Sequence, residues 1–168
     1  MTDKTDTGAP PLFDAKRFWR TLGERAIGVT VVTATGKDGP AGFLALSAAH
    51  VSADPPTMLV SIDRRTSAIS AVLESRHFAV NILAREHEAL SESFGGKSPE
   101  KHAQRFVPEE WTTLRTGAPI LRAALGAFDC ELEQVVERQG VIIALGRVVD
   151  GFASGEGKPL VYFRGQYT

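Results

Sequence analysis

The run Arg64-Arg65-Thr66-Ser67 sets two guanidinium groups and two hydroxyls immediately before a short apolar stretch, Ala68 to Glu74. Cations, hydroxyls and backbone N–H groups where a loop opens a helix are what an anion such as a phosphate needs. The same four residues equally suit an ordinary helix start, with Ser67 capping Ala68 onward and two solvated arginines beside it. Residue type alone does not separate the two. Asn81, the only asparagine in the chain, stands near the end of the apolar run Phe78 to Leu83. There it is either a polar contact for a ligand or the start of a loop.

Other reactive groups form no constellation. Gly96-Lys97-Ser98 has the end of a phosphate-binding loop, but Ser91 occupies the position of its first glycine, and Pro99 follows where a helix should begin. His87-Glu88 starts like a zinc-protease helix, yet Ser91 stands at the second histidine position. His50, His77 and His102 are scattered, without a partner at triad spacing. Cys130 lies between acids, Asp129 and Glu131, which raise a thiol pKa and mark it as inert packing. A chain without its own acid, base or nucleophile is a binding module, or it borrows chemistry from a cofactor.

Composition narrows the class. The 168 residues fit one domain, and a chain of this length buries roughly 70% of its unfolded surface without a staple. Nineteen basic residues oppose twenty acidic ones for a formal charge of −1, so nucleic acid is not an expected partner. A single cysteine excludes a disulfide framework and suits a reducing cytoplasm. Met1 to Pro11 is polar, lacks an apolar core, and reads with Leu12 as a disordered arm (1–12) preceding a domain over 13–168. No apolar run approaches the roughly 18 residues of a membrane span.

The elements that must position these residues are mostly extended. Phe13 to Arg25 has helical spacing of Phe18, Trp19, Leu22 and Ala26, with Asp14 as cap and Gly28 ending it. Val29 to Thr35 is almost entirely β-branched, and Gly36 to Pro40 turns it into a second extended segment, Ala41 to Ala49. The prolines in Asp54-Pro55-Pro56 bar a helix there and lead into a strand, Thr57 to Ile62. A short helix from Ala68 and a strand from His77 to Leu83 follow, then a helix, Glu86 to Phe94, stopped by Gly95-Gly96. Lys97 to Gly117 is irregular, with Trp111 as its one large anchor. Two long strands, Ala124 to Glu137 and Val141 to Phe152, and a last one, Leu160 to Tyr167, complete the chain. Six or seven mostly sequential strands with short helices predict a mainly β fold, an antiparallel split barrel with short flanking helices.

Several features stand in a fixed order: Gly28-Val29-Thr30-Val31-Val32-Thr33, the Val51-Ser52-x-Asp54-Pro55-Pro56 corner, Phe78-Ala79-Val80-Asn81-Ile82-Leu83, and Phe94-Gly95 after a helix. Thr116-Gly117-Ala118-Pro119, Phe128-Asp129-Cys130-Glu131, Gly146-Arg147-Val148 and Pro159-Leu160-x-Tyr162-x-x-x-x-Tyr167 follow. Together they closely resemble the short-chain flavin reductase family, reductase components of two-component flavin monooxygenases built on the FMN-binding split barrel. The resemblance runs from Phe13 to Thr168. It implies a homodimeric NAD(P)H:flavin oxidoreductase that reduces FMN or FAD with NADH or NADPH and releases the product to a partner monooxygenase. Alternatives are a flavin-binding module with little NAD(P)H activity, or a flavin-dependent reductase of ferric chelates or corrins.

By position, the resemblance implies that the flavin ring lies along Phe43-Leu44-Ala45-Leu46-Ser47 and its phosphate near Asp63-Arg64-Arg65-Thr66-Ser67. Thr30 and Asn81 are implied nearby, and Phe94-Gly95 where adenine or nicotinamide docks. No catalytic side chain is implied, because hydride passes directly between the cofactors. The chain departs from the family pattern twice. Leu44 and Leu46 stand where members usually carry Thr or Ser, removing hydrogen bonds worth about 1 kcal/mol each. Val141 stands where many members carry a histidine near the nicotinamide, which leaves orientation to stacking and to other groups, with His50 and Arg147 as candidates.

Overall fold

A computed structural model describes residues 13–97 and 102–168. The expected arm, and the Ser98-Pro99 part of the lysine loop, lie outside the described residues. Helix α1 (Ala15–Leu22) starts where Asp14 caps it, its Oδ1 accepting the Arg17 N–H at 2.7 Å. It ends at Gly23 rather than Gly28. Arg164 explains the early stop: its N–H donates to the Gly23 carbonyl at 3.1 Å and its guanidinium forks onto Glu24.

Strands β1 (Ile27–Gly28), β2 (Thr30–Gly36) and β3 (Gly39–Ala45) follow, with β2 and β3 forming the expected hairpin. The extended segment foreseen through Ala49 breaks after Ala45 and resumes as β4 (Ala49–Ala53), which turns into β5 (Pro56–Asp63). Helix α2 (Ile69–Ser75), strand β6 (His77–Ile82), a 3-10 turn (Arg85–His87) and helix α3 (Glu88–Phe94) come next. After a second 3-10 turn (His102–Arg105), β7 (Trp111–Thr113) and β8 (Pro119–Leu121) make a small hairpin inside the stretch read as irregular. Long strands β9 (Gly126–Arg138) and β10 (Val141–Ala153) match expectation. The last strand does not: it is a hairpin of β11 (Val161–Phe163) and β12 (Gln166–Tyr167), reversed at Arg164 and Gly165, both at positive φ.

Seven strands form one antiparallel sheet in the order β3-β2-β6-β9-β10-β5-β4, so neighbours are not mostly sequential as expected. The mainly β, antiparallel architecture stands. The sheet curls until the end of β3 meets β5, where the Ser47 hydroxyl donates to the Ser61 carbonyl at 3.0 Å and accepts the Ser61 N–H at 3.3 Å. Serine side-chain bonds, not a ladder, close this seam, and the barrel is split there.

Two apolar clusters sit on opposite faces of the wall. Val32, Val60, Ile62, Phe78, Val80 and Ile142 fill the inside. Val29, Val31, Leu83, Phe94, Trp111 and Leu160 make a second core outside it. Being covered on both faces explains why β2 reads as an unbroken β-branched run rather than an alternating one. Among the described residues, no helix is long and apolar enough to cross a membrane.

Candidate functional site

Successive side chains of a strand point to opposite faces, and β3 shows what that does for a site. Ala41, Phe43 and Ala45 belong to the inner cluster. On the other face, Leu44 and Leu46 join the outer cluster with Phe94 and Trp111, and Gly42 lies in register with them. A Cβ on Gly42 would come within 2.8 Å of the Phe94 ring and 3.0 Å of the Val32 carbonyl. Glycine there lets the ring lie against the backbone. Phe94 is held in turn by edge contacts with Phe106 and Trp111, at centroid distances of 5.5 and 5.9 Å, and the Arg105 guanidinium sits 5.6 Å above it. The Trp111 indole N–H fixes that turn by donating to the Arg105 carbonyl at 3.2 Å.

Beside this wall, the loop after β5 folds back on itself. The Asp63 carboxylate accepts from the Arg65 backbone at 2.8 Å and from both ends of its guanidinium fork, at 3.0 and 2.7 Å. The side-chain bonds from Arg65, and then its backbone N–H, hold the Asp63 carboxyl down at about 2. The Thr66 N–H donates to the Asp63 carbonyl at 2.9 Å. Helix α2 has Ala68 at its capping position, one residue after Ser67.

These parts meet in one cleft of about 470 Å³, lined by Gly42, Phe43, Leu44, Arg65, Thr66, Ser67, Phe94, Gly95, Gly96 and Arg105. Seven residues singled out from sequence, spread from 43 to 95, therefore share a wall. The volume lies in the range usual for small-molecule sites, about 300–1,000 Å³. One side is apolar and aromatic, and the other end carries hydroxyls and a cation.

The remaining residues are placed elsewhere. Arg64 turns outward to Glu137 at 2.8 Å, and its N–H donates to the Gly140 carbonyl. Ala45 is buried inside the barrel, and Ser47 makes the seam. Thr30 is buried, donating to the Ala45 carbonyl at 2.5 Å. Asn81 is wholly buried, and its amide is a strut: Nδ2 donates to the Val31 carbonyl and the Thr33 hydroxyl, both at 3.2 Å, while Oδ1 accepts the Leu121 N–H at 2.8 Å. Leu46 packs in the outer core without lining the cleft.

Neither candidate for orienting a nicotinamide lines the cleft. His50 is on the exposed edge strand β4, and Arg147 is clasped by Glu131 and Glu133 at 2.5 and 3.1 Å. Val141 pairs with Asp63 across the sheet. The His87 Nδ1 accepts the Ala84 N–H at 3.2 Å, and among the described residues no three or more His, Cys, Asp and Glu gather as metal ligands would. Cys130 is buried, and desolvation, with Asp129 adding to it, pushes its thiol up to about 12.

Sequence reasoning missed Gly42 and Arg105. The signal for Arg105 was its place beside Phe106 and six residues before Trp111, a cation among aromatics in a stretch set aside as irregular. Nothing in the sequence marked Gly42.

The flavin reductase like domain family matches residues 22–168. An FMN reductase (NADH) RutF of Ancylobacter novellus is 39% identical over 98% of this chain and 91% of its own. The reductase subunit HsaB of a flavin-dependent monooxygenase from Rhodococcus jostii is 35% identical over 100% of this chain and 85% of its own. The structure of BorF, flavin reductase component of a bacterial two-component tryptophan halogenase, superposes with a TM-score of 0.84 at 30% identity, covering 92% of this chain and 97% of that one. The chain therefore belongs to the flavin reductase like family.

Proposed function

We propose that this chain is an NADH-dependent flavin reductase whose flavin ring occupies the cleft between Phe43-Leu44 and Phe94-Gly95. The observation that carries it is that one cleft gathers Phe43, Leu44, Arg65, Thr66, Ser67, Phe94 and Gly95. The group fits these residues. Gly42 and Phe94 keep the wall flat, and the Thr66 and Ser67 hydroxyls with Arg65 stand at the end where a phosphate would lie. When bound, the flavin supplies the hydride acceptor. The chain's residues give it a floor, exclude water through the Phe94, Phe106 and Trp111 cluster, and leave the outer side open for a nicotinamide. Positioning is their whole contribution, and it is what a direct transfer requires.

Arg105, over the Phe94 ring and lining the same cleft, adds a second cation for a dinucleotide's phosphates. NADH over NADPH, and FMN as the flavin, are supported by the relative named FMN reductase (NADH). A monooxygenase as receiver of the reduced flavin is supported by the names of HsaB and of BorF's two-component system. Residues 13–168 form the one domain, the assembly is a homodimer, and the compartment is the cytoplasm, where Cys130 stays a thiol.

The test is to mix the purified chain with NADH and free FMN and follow loss of the reduced nicotinamide absorbance. Turnover that requires added flavin is expected, slower with NADPH. No flavin-dependent oxidation of either nucleotide rejects the assignment, and FMN binding without turnover would make the protein a binding module.

A further inference from the structure

A cavity of about 760 Å³ lies along the outer side of α3 and meets the flavin cleft at Arg105, which lines both. Part of its lining is apolar: Leu121 is buried, Leu90 half-buried, and Val107 is 42% exposed. Its charges are of both signs. Glu92 and Lys97 neutralise each other at 3.1 Å. Glu86, Glu109, Glu110 and Arg122 also line it, and none of the four makes an ion pair among the described residues. Glu110 and Arg122 are neighbours at the open end of the β7–β8 hairpin, where the Arg122 N–H donates to the Glu110 carbonyl at 2.9 Å. The hairpin thus presents to the cavity an acid and a base that the fold does not pair.

That mixture suits half of a dinucleotide. Pyrophosphate calls for cations, adenine for an apolar surface, and ribose hydroxyls for acceptors. Arg105 at the junction and Arg122 in the wall supply the first, Leu90, Val107 and Leu121 the second, and the unpaired carboxylates the third. The volume lies in the range of small-molecule sites, about 300–1,000 Å³. With a nicotinamide on the open side of the flavin cleft, the rest of the molecule reaches this cavity past Arg105.

We propose that the cavity along α3 holds the adenosine half of NADH, and that Glu109 and Glu110 select NADH over NADPH by accepting the ribose 2′-hydroxyl. A carboxylate at that hydroxyl is how a protein reads the unphosphorylated ribose. The 2′-phosphate of NADPH brings a further charge of about −1.5 to −2 and has no donor to offer in place of the hydroxyl. It meets Glu109 and Glu110, with Glu86 adding a third negative charge to the lining, and like charges brought together oppose binding. This inference rests on the NADH-dependent reading above, and names the residues that decide its choice of nucleotide.

ADP-ribose and 2′-phospho-ADP-ribose are the probes, titrated calorimetrically into the flavin-free full chain so that binding is read apart from turnover. The wild type is expected to bind ADP-ribose at least about tenfold more tightly than the 2′-phosphorylated probe. Glu109→Lys with Glu110→Lys is expected to abolish or invert that preference, and Arg122→Gln to weaken both probes several-fold. In turnover, the double variant should lower the KM for NADPH and raise that for NADH. The FMN dissociation constant should hold in every variant, since none of the three residues lines the flavin cleft. All three side chains are exposed, and a thermal melt checks that the variants keep the fold. A preference for ADP-ribose that survives the double variant overturns the proposal, as does a wild type that binds both probes equally. FMN titration separates the two readings: with FMN bound and ADP-ribose not, the cavity assignment alone falls; with neither bound, both fall.

Discussion

The cleft wall and the strut beneath it are built from similar residues to opposite ends. Thr66 and Ser67 line a cavity, whereas Thr30 turns its hydroxyl and Asn81 its amide into the protein and satisfies it there. A buried amide with every group matched holds strands together and has nothing left for a ligand. A side chain at the end of an apolar cleft wall is placed to meet a ligand. Polar residues of the same kind thus divide by whether they line a cleft or face inward between strands.

The comparison breaks most visibly at Asn81. Asn81→Leu strands the buried Leu121 N–H, at about 1–3 kcal/mol for a group left unpaired, and removes the amide that ties β2 to β8. A thermal melt should drop by many degrees, while the FMN dissociation constant of the folded fraction stays near wild type. If FMN binding collapsed at unchanged stability, Asn81 would belong to the site after all.

Gly42→Ala acts on both regions, because the new methyl presses on Phe94 and on the β2 backbone. Overpacking of this kind costs about 1–3 kcal/mol, and the displaced ring should also weaken flavin, measured by titration against the same melt. Thr66→Ala with Ser67→Ala should cost FMN about 1–3 kcal/mol, the worth of hydrogen bonds to a charged group. Riboflavin, lacking phosphate, should be unaffected; equal losses for both would misplace the phosphate. Leu44→Thr should change flavin affinity by about 1 kcal/mol, enough to tell whether a hydroxyl or an apolar contact serves better at that spot.

Cys130 sets the null end of the series. Its raised pKa keeps the thiol neutral in the folded protein until about pH 12, so iodoacetamide should not label native protein at pH 8. An acid whose folded pKa is raised stabilises fully below its unfolded value. Stability should therefore hold through neutrality and fall between about pH 9 and pH 12, and Cys130→Ala should flatten that fall.

The β2–β3 hairpin, the capped helix at Asp14 and the two long strands were legible because turn glycines, a cap residue and β-branched runs act locally. Phe43, Leu44 and the loop through Ser67 were singled out by the family resemblance, and they line one cleft. Strand order was not, since the pairing of β6 with β9 and of β5 with β10 depends on contacts far apart in sequence. Asn81 misled for a different reason: one asparagine in an apolar strand looks the same whether its amide faces a ligand or Leu121. Arg64 and Arg65 are neighbours with identical side chains, yet Glu137 draws one away and Asp63 clasps the other at the cleft. No local pattern separates them.

A crystal structure of the chain soaked with FMN examines the central claim most directly. The tricyclic ring should lie against Phe43, Leu44 and Phe94, with its phosphate in hydrogen-bond reach of the Thr66 and Ser67 hydroxyls and Asn81 untouched. FMN bound elsewhere, or Leu44 closing the cleft against the ring, would contradict it.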